Sequence, residues 1–188
     1  MHRKVLTTFL FSILLSSNGI AASSKWYETK QVNFEITIPT KTTKDWLVAP
    51  ILGFPLAVLA PSEKGYRPTM SLTPEMTPSL EPITFDEVRL QEPFYKAGRE
   101  KFVKDRQGKV KEFFKPTKVD NKNNLDIYSL GYRYELANMT IVERSIRFMC
   151  DGYLVLGMTR YYPDLHKSAE KDFSKILKNI NCKKAGSI

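Results

Sequence analysis

Few side chains in this sequence are of types and spacing suited to covalent chemistry. Beyond the first 22 residues there is a single histidine, His166. Asp164 precedes it by two positions and Glu170 follows by four. On a helix, positions i and i+4 share a face, so His166 and Glu170 are candidates for a carboxylate–imidazole pair. That is the raw material of a general base, and with a serine it would make a hydrolase. No G-x-S-x-G elbow accompanies it, however. A metal site needs three or four ligands, and the sequence shows no third that is obviously near. Asp45, Glu63 and Glu75 fall in expected loops with no spacing that pairs them. Glycine-rich phosphate loops are absent. The expectation is therefore no catalytic residue, no metal and no cofactor, with a His166-dependent hydrolase or metal enzyme as the alternative.

Cys150 and Cys182 are the only cysteines. The meaning of the pair depends on compartment. His2, Arg3 and Lys4 form a positive start, Val5 to Leu15 is an apolar run, and small residues follow at Gly19, Ala21, Ala22 and Ser23. That is the pattern of a cleavable signal peptide over residues 1–22. Its apolar run falls short of the about 20 residues that span a bilayer. Residues 47–60 form a second apolar stretch, but Pro50, Gly53 and Pro55 interrupt it, so no transmembrane segment is expected in the mature chain. Export means an oxidising environment, where an even pair of cysteines forms a disulfide.

The elements that must position these residues can be read from their periods. Gln31 to Ile38 alternates, with Val32, Phe34, Ile36 and Ile38 on one side, and reads as a half-buried strand. Leu56 to Leu59 and Arg67 to Leu72 read as two more. Thr84 and Glu87 make a capping box that opens a helix. Pro93 kinks this helix or starts a second, and the apolar stripe of Phe85, Val88, Leu90, Phe94, Ala97 and Phe102 runs on to Gly108. Strands follow over 110–119, 125–136, 140–149 and 153–161. Asp151-Gly152 joins the last two, as both residues tolerate positive φ. A final helix is expected from Asp164 as N-cap, with Leu165, Ala169, Phe173, Ile176, Leu177 and Ile180 on its apolar face. The class is α+β, a mostly antiparallel sheet covered by helices. In this arrangement Cys150 and Cys182 lie at the same end of the sheet, so that a bridge can staple the last helix to the hairpin.

Several of these segments, in this order, resemble the PsbP-like family. The matching stretches are Phe34 to Pro39 followed by Trp46, Leu56 to Pro61, Arg67 to Thr73, Gly131 to Leu136, Asp151 to Leu156 and Lys175 to Ile180. The family includes an extrinsic lumenal protein of photosystem II, a Ran-binding nuclear protein and bacterial exported proteins. The resemblance implies a single domain over 23–188, a three-layer α/β/α sandwich and action by binding a larger partner. The manganese-cluster-related N-terminal segment of the photosystem members has no counterpart here.

Composition and exposed residues then bear on the partner. The chain carries a formal net charge of +9. The excess concentrates between Lys96 and Lys122, where ten basic residues face four acidic ones. Such a run is either a solvated face or an attraction to anionic surfaces. Nucleic acid is not expected as a partner, since no binding motif is present. Trp46, Ile51 and Phe54 lie in or beside a loop rich in proline and glycine; they form either a docking patch or a lid over the sheet. Tyr128, Tyr132 and Tyr134 alternate on one strand face and would line the pocket of a small-ligand carrier. Asn138-Met139-Thr140 is a glycosylation sequon at a turn, relevant in a eukaryotic source. The leading expectation is an exported, non-enzymatic accessory or binding protein, periplasmic or otherwise secreted, docking on an envelope protein or an anionic envelope surface.

Overall fold

The computed structural model describes residues 23–38, 46–51 and 54–187, without the side chains of Ile51 and Phe54. The leader over 1–22 and the docking-patch side chains Ile51 and Phe54 lie outside what it describes. The chain order is β1 (Ser23–Glu28), β2 (Val32–Ile38), β3 (Leu47–Ile51), β4 (Phe54–Leu59), β5 (Thr69–Pro74), α1 (Phe85–Leu90), α2 (Glu92–Lys104), β6 (Lys109–Val119), β7 (Ile127–Leu136), β8 (Met139–Cys150), β9 (Tyr153–Tyr161), α3 (Ala169–Asn179) and β10 (Asn181–Lys184). Seven strands form one antiparallel sheet in the order β3-β4-β5-β9-β8-β7-β6, and β1-β2-β10 form a second.

The layers follow from side-chain alternation. In β7, Tyr128, Leu130, Tyr132 and Tyr134 face α1 and α2. The opposite face of the main sheet meets β2 and α3. Val32, Phe34, Ile36 and Ile38 of β2 are buried there, as their alternation predicts. Phe173, Ile176, Leu177 and Ile180 join them from the other direction. The fold is α+β, with a mostly antiparallel sheet between two outer layers. One of those layers is mixed: α3 shares it with the small sheet, which the sequence reading lacked. β1 and β10 escaped that reading because each is short and half exposed, so neither shows a clean apolar alternation, and β3 escaped it because Pro50 interrupts the run: Ile51 and Phe54, expected in or beside a loop, end β3 and begin β4.

Local chemistry sets the element ends. Thr84 Oγ1 accepts from the Glu87 amide, and Glu87 Oε2 accepts from the Thr84 amide at 2.6 Å, closing the capping box. Pro93 does start a second helix, seated in its first turn where no amide is needed. Asp151 and Gly152 both take positive φ in the β8–β9 hairpin. The last helix begins later than expected. Asp164 and Leu165 lie in a turn, and Ser168 is the N-cap. Pro163 constrains the chain there, and the His166 and Leu165 amides fold back onto the Tyr162 carbonyl before the helix starts.

The end of α3 depends on a residue 58 positions upstream of its last residue in the sequence. Buried Asn121 donates from Nδ2 to the Leu177 and Ile180 carbonyls at 2.7 and 3.0 Å. Its Oδ1 accepts from the Asn123 and Leu125 amides. Helix C-terminal carbonyls need such partners. Asn121→Ala strands both sets of groups and is expected to cost about 2 kcal/mol in urea denaturation, with hydrogen exchange rising selectively in the last turn of α3.

Candidate functional site

His166 and Trp46 come together. Both line a hollow of about 750 Å³ with Asp164, Asp172, Glu63 and Lys167. The His166 ring lies beside Tyr162, centroids 6.2 Å apart, and its two nitrogens are buried without a hydrogen-bond partner among the described residues. The expected His166–Glu170 pair does not form. His166 precedes the helix, so i, i+4 geometry does not apply, and Glu170 is bound to Arg144 at 2.8 Å. Among the described residues no three His, Cys, Asp or Glu side chains gather as metal ligands do. The Trp46 ring meets Phe173 edge-on at 6.3 Å and packs against the core.

The tyrosine row of β7 does not line a pocket. Tyr132 stacks between Tyr134 and Phe113, and Tyr95 of α2 closes over it. Beneath these rings sits a carboxylate that the sequence reading did not single out. Glu143 of β8 is 1% exposed. It accepts from the Tyr132 hydroxyl at 2.6 Å, the Tyr134 hydroxyl at 3.1 Å and Arg160 Nε at 2.5 Å. Burial, reinforced by the Glu143 charge, holds both tyrosine hydroxyls protonated far above the ordinary phenol range. Both Glu143 oxygens are thus bonded, as a structural network requires, while the Tyr95 hydroxyl has no partner among the described residues.

The unexpected feature is an apolar crest. Leu90 ends α1 and Phe94 lies in the first turn of α2, and they are 75% and 81% exposed. The sequence placed both in the buried stripe. The break at Gln91 resets the helical phase, and the buried face of α2 carries Tyr95, Arg99, Phe102 and Val103. Arg99 disguised that stripe: its guanidinium lies over the rings of Tyr95, Phe102 and Tyr132 and packs like an apolar group. Met76 and Leu80, in the segment before α1, are also fully or largely exposed. That segment is tethered to the start of β9 by the Glu75 and Ser79 amides. Arg147 of β8 donates to the Gln91 side chain, and its partner across β9 is the exposed Leu156. Leu156 therefore shares the face of the main sheet that α1 and α2 cover, while the Met76 sulfur accepts from the Gln31 side chain just before β2.

Charge is distributed otherwise than the sequence suggests. Within the basic run, Lys96, Lys101, Lys111 and Lys118 are ion-paired, to Glu92, Asp105, Glu135 and Asp126. Arg106 lies over Phe102. Lys104, Lys109 and Lys115 of that run have no salt bridge among the described residues, and neither do Lys171, Lys175 and Lys178 of α3, exposed at i, i+4 and i+7. The Lys122 amide bonds the Lys178 carbonyl and so extends this strip.

No family model matches the sequence, and no curated protein matches it. Solved structures do. CyanoP, the cyanobacterial PsbP of Synechocystis sp. PCC 6803, aligns over 89% of this chain and 96% of its own, at 14% identity and a TM-score of 0.56. This chain has a PsbP-like fold. LpqN, described as involved in cell envelope biogenesis of Mycobacterium tuberculosis, aligns over 88% of this chain and 92% of its own, at 12% identity and a TM-score of 0.53. No helix among the described residues is long and apolar enough to cross a membrane.

Proposed function

We propose that this chain, with its PsbP-like fold, is an exported, non-enzymatic binding protein that docks in the periplasm on a protein of the bacterial envelope. The observation that carries the reading is the crest of Met76, Leu80, Leu90 and Phe94. Leu90 and Phe94 flank the α1–α2 junction, Met76 and Leu80 stand exposed in the segment leading into α1, and large apolar side chains this exposed are what a contact surface presents. Export is supported by the leader pattern of residues 1–22 and by the Cys150–Cys182 bridge. The likeness in fold to LpqN, with its described part in envelope biogenesis, agrees with an envelope setting. A second contact, with an anionic envelope surface, is favoured by the unpaired lysine strip of α3.

The test is photocrosslinking from position 80 in intact envelopes. Wild-type protein is expected to give a discrete adduct with one envelope protein. Leu90→Asp with Phe94→Asp is expected to reduce that adduct at least tenfold while circular dichroism and Tm stay unchanged, since neither side chain is buried. An adduct of undiminished yield in the double variant defeats the assignment of this surface.

A further inference from the structure

The face of the main sheet beneath α3 changes character along its width. Toward β4 and β5 it is greasy, with Leu56, Val58, Met70 and Leu72 fully or almost fully buried. Toward β6 it turns polar: Thr117, Ser129, Arg144, Thr159 and Tyr161 project from four successive strands. α3 borders this floor with Glu170, Phe173, Ser174 and Leu177, a single stripe at i, i+3, i+4 and i+7. Between floor and helix is a cavity of about 250 Å³. Glu170 and Ser174 are exposed, so its rim reaches solvent.

Two details indicate a built site. Ser129 is only 4% exposed, and its hydroxyl has no hydrogen-bond partner among the described residues. An orphaned buried hydroxyl costs about 1–3 kcal/mol unless something bonds it. A valine in that place would suit a plain core. The second detail is the immobilised ion pair. The Arg144 guanidinium lies 4.5 Å from the centre of the Phe114 ring and bonds Glu170 at 2.8 Å. Its stem and that ring both press against residue 131, where a Cβ would stand 2.9 Å from each. Glycine is required for this arrangement.

The chemistry of the cavity selects a ligand. Arg144 and Glu170 cancel, so an anion meets the carboxylate and a cation meets the guanidinium. The hydroxyls of Ser129, Thr159 and Thr117 can each donate or accept. Val119, Phe173 and Leu177 supply apolar wall. Polar edges around an apolar face match a neutral polyhydroxylated ring, whose C–H faces and O–H edges alternate. The volume lies just below the range of pockets for drug-sized ligands, which limits the occupant to about the size of one sugar ring.

We propose that this cavity binds a single neutral, sugar-sized polyhydroxylated ligand, with Ser129 and Thr159 bonding its inner edge and the Arg144–Glu170 pair its outer edge. The cavity lies on the opposite side of the main sheet from Leu90 and Phe94, so sugar binding and partner docking can fail independently.

Calorimetric titration and saturation-transfer NMR on the mature chain test it, with glucose, galactose and N-acetylglucosamine as neutral probes and glucuronate and glucosamine as charged ones. At least one neutral sugar is expected to bind saturably, with both charged sugars at least tenfold weaker. Ser129→Val, which keeps the shape and removes the hydroxyl, is expected to weaken binding at least tenfold. Ser174→Trp, at the exposed rim, is expected to do the same by obstruction and does not disturb the buried floor. The proposal is overturned if no neutral sugar binds with Kd below about 10 mM to folded protein. It is equally overturned if Ser174→Trp binds like wild type, or if a charged sugar binds as well as the neutral ones.

Discussion

Glu143→Ala is expected to be among the most damaging single substitutions in the chain, costing about 3–5 kcal/mol of stability. The carboxylate is 1% exposed and collects hydrogen bonds from Tyr132, Tyr134 and Arg160. Removing it orphans two buried hydroxyls beneath α2 and leaves Arg160, whose side chain is 38% exposed, without its counter-charge. It also opens a void under the stacked rings. The converse variant, Arg160→Ala, leaves the buried charge with only two phenols and is expected to cost a similar amount. Tyr132→Phe removes one donor and is expected to cost about 1–2 kcal/mol. Urea denaturation should show these losses as lower midpoints at constant m-value. Because the Glu143 carboxylate is buried, 1 M salt should change them little. A loss below about 1 kcal/mol for Glu143→Ala would show that the network is solvated and not structural.

Reduction of the Cys150–Cys182 bridge is expected to remove about 3–4 kcal/mol, the loop-closure value for cysteines 32 residues apart. The two Cα atoms are 5.9 Å apart, within the ordinary disulfide range. The bridge joins the end of β8 to the start of β10, and β10 pairs with β2. It therefore ties the seven-stranded sheet to the small one, and does more than staple α3 to the hairpin. Cys150→Ser with Cys182→Ser should match reduced wild type in midpoint and m-value. In both, amide exchange should rise first along β10 and β1, which the small sheet holds only through β2. A reduced protein as stable as the oxidised one would mean that the β2–β10 pairing needs no covalent support.

The proposed contact surfaces rest on groups that differ in how legible they are in the sequence. The α3 lysines are plain in the sequence, but so are the lysines of residues 96–122. Only the folded chain shows that Glu135 and Asp126, carried on or just before the neighbouring strand β7, neutralise part of the second set and leave the first unpaired. Phe94 likewise reads as core in a helical projection. Its exposure follows from a one-residue break at Gln91 that shifts the phase of α2.

The residues by themselves determined the α+β class, the alternation of β2 and β7, the capping box at Thr84, the Asp151-Gly152 hairpin and the partnership of the two cysteines. Each rests on neighbours within one turn or one strand, or on a choice between only two thiols, so local stereochemistry suffices. Tertiary structure alone decided that Glu143 lies under Tyr132 and Tyr134, that Asn121 caps α3, that His166 and Glu170 part company, and that Ser129 faces a cavity. Those outcomes depend on strand register and on chain segments tens of residues apart, where a shift of one residue turns every side chain to the other face.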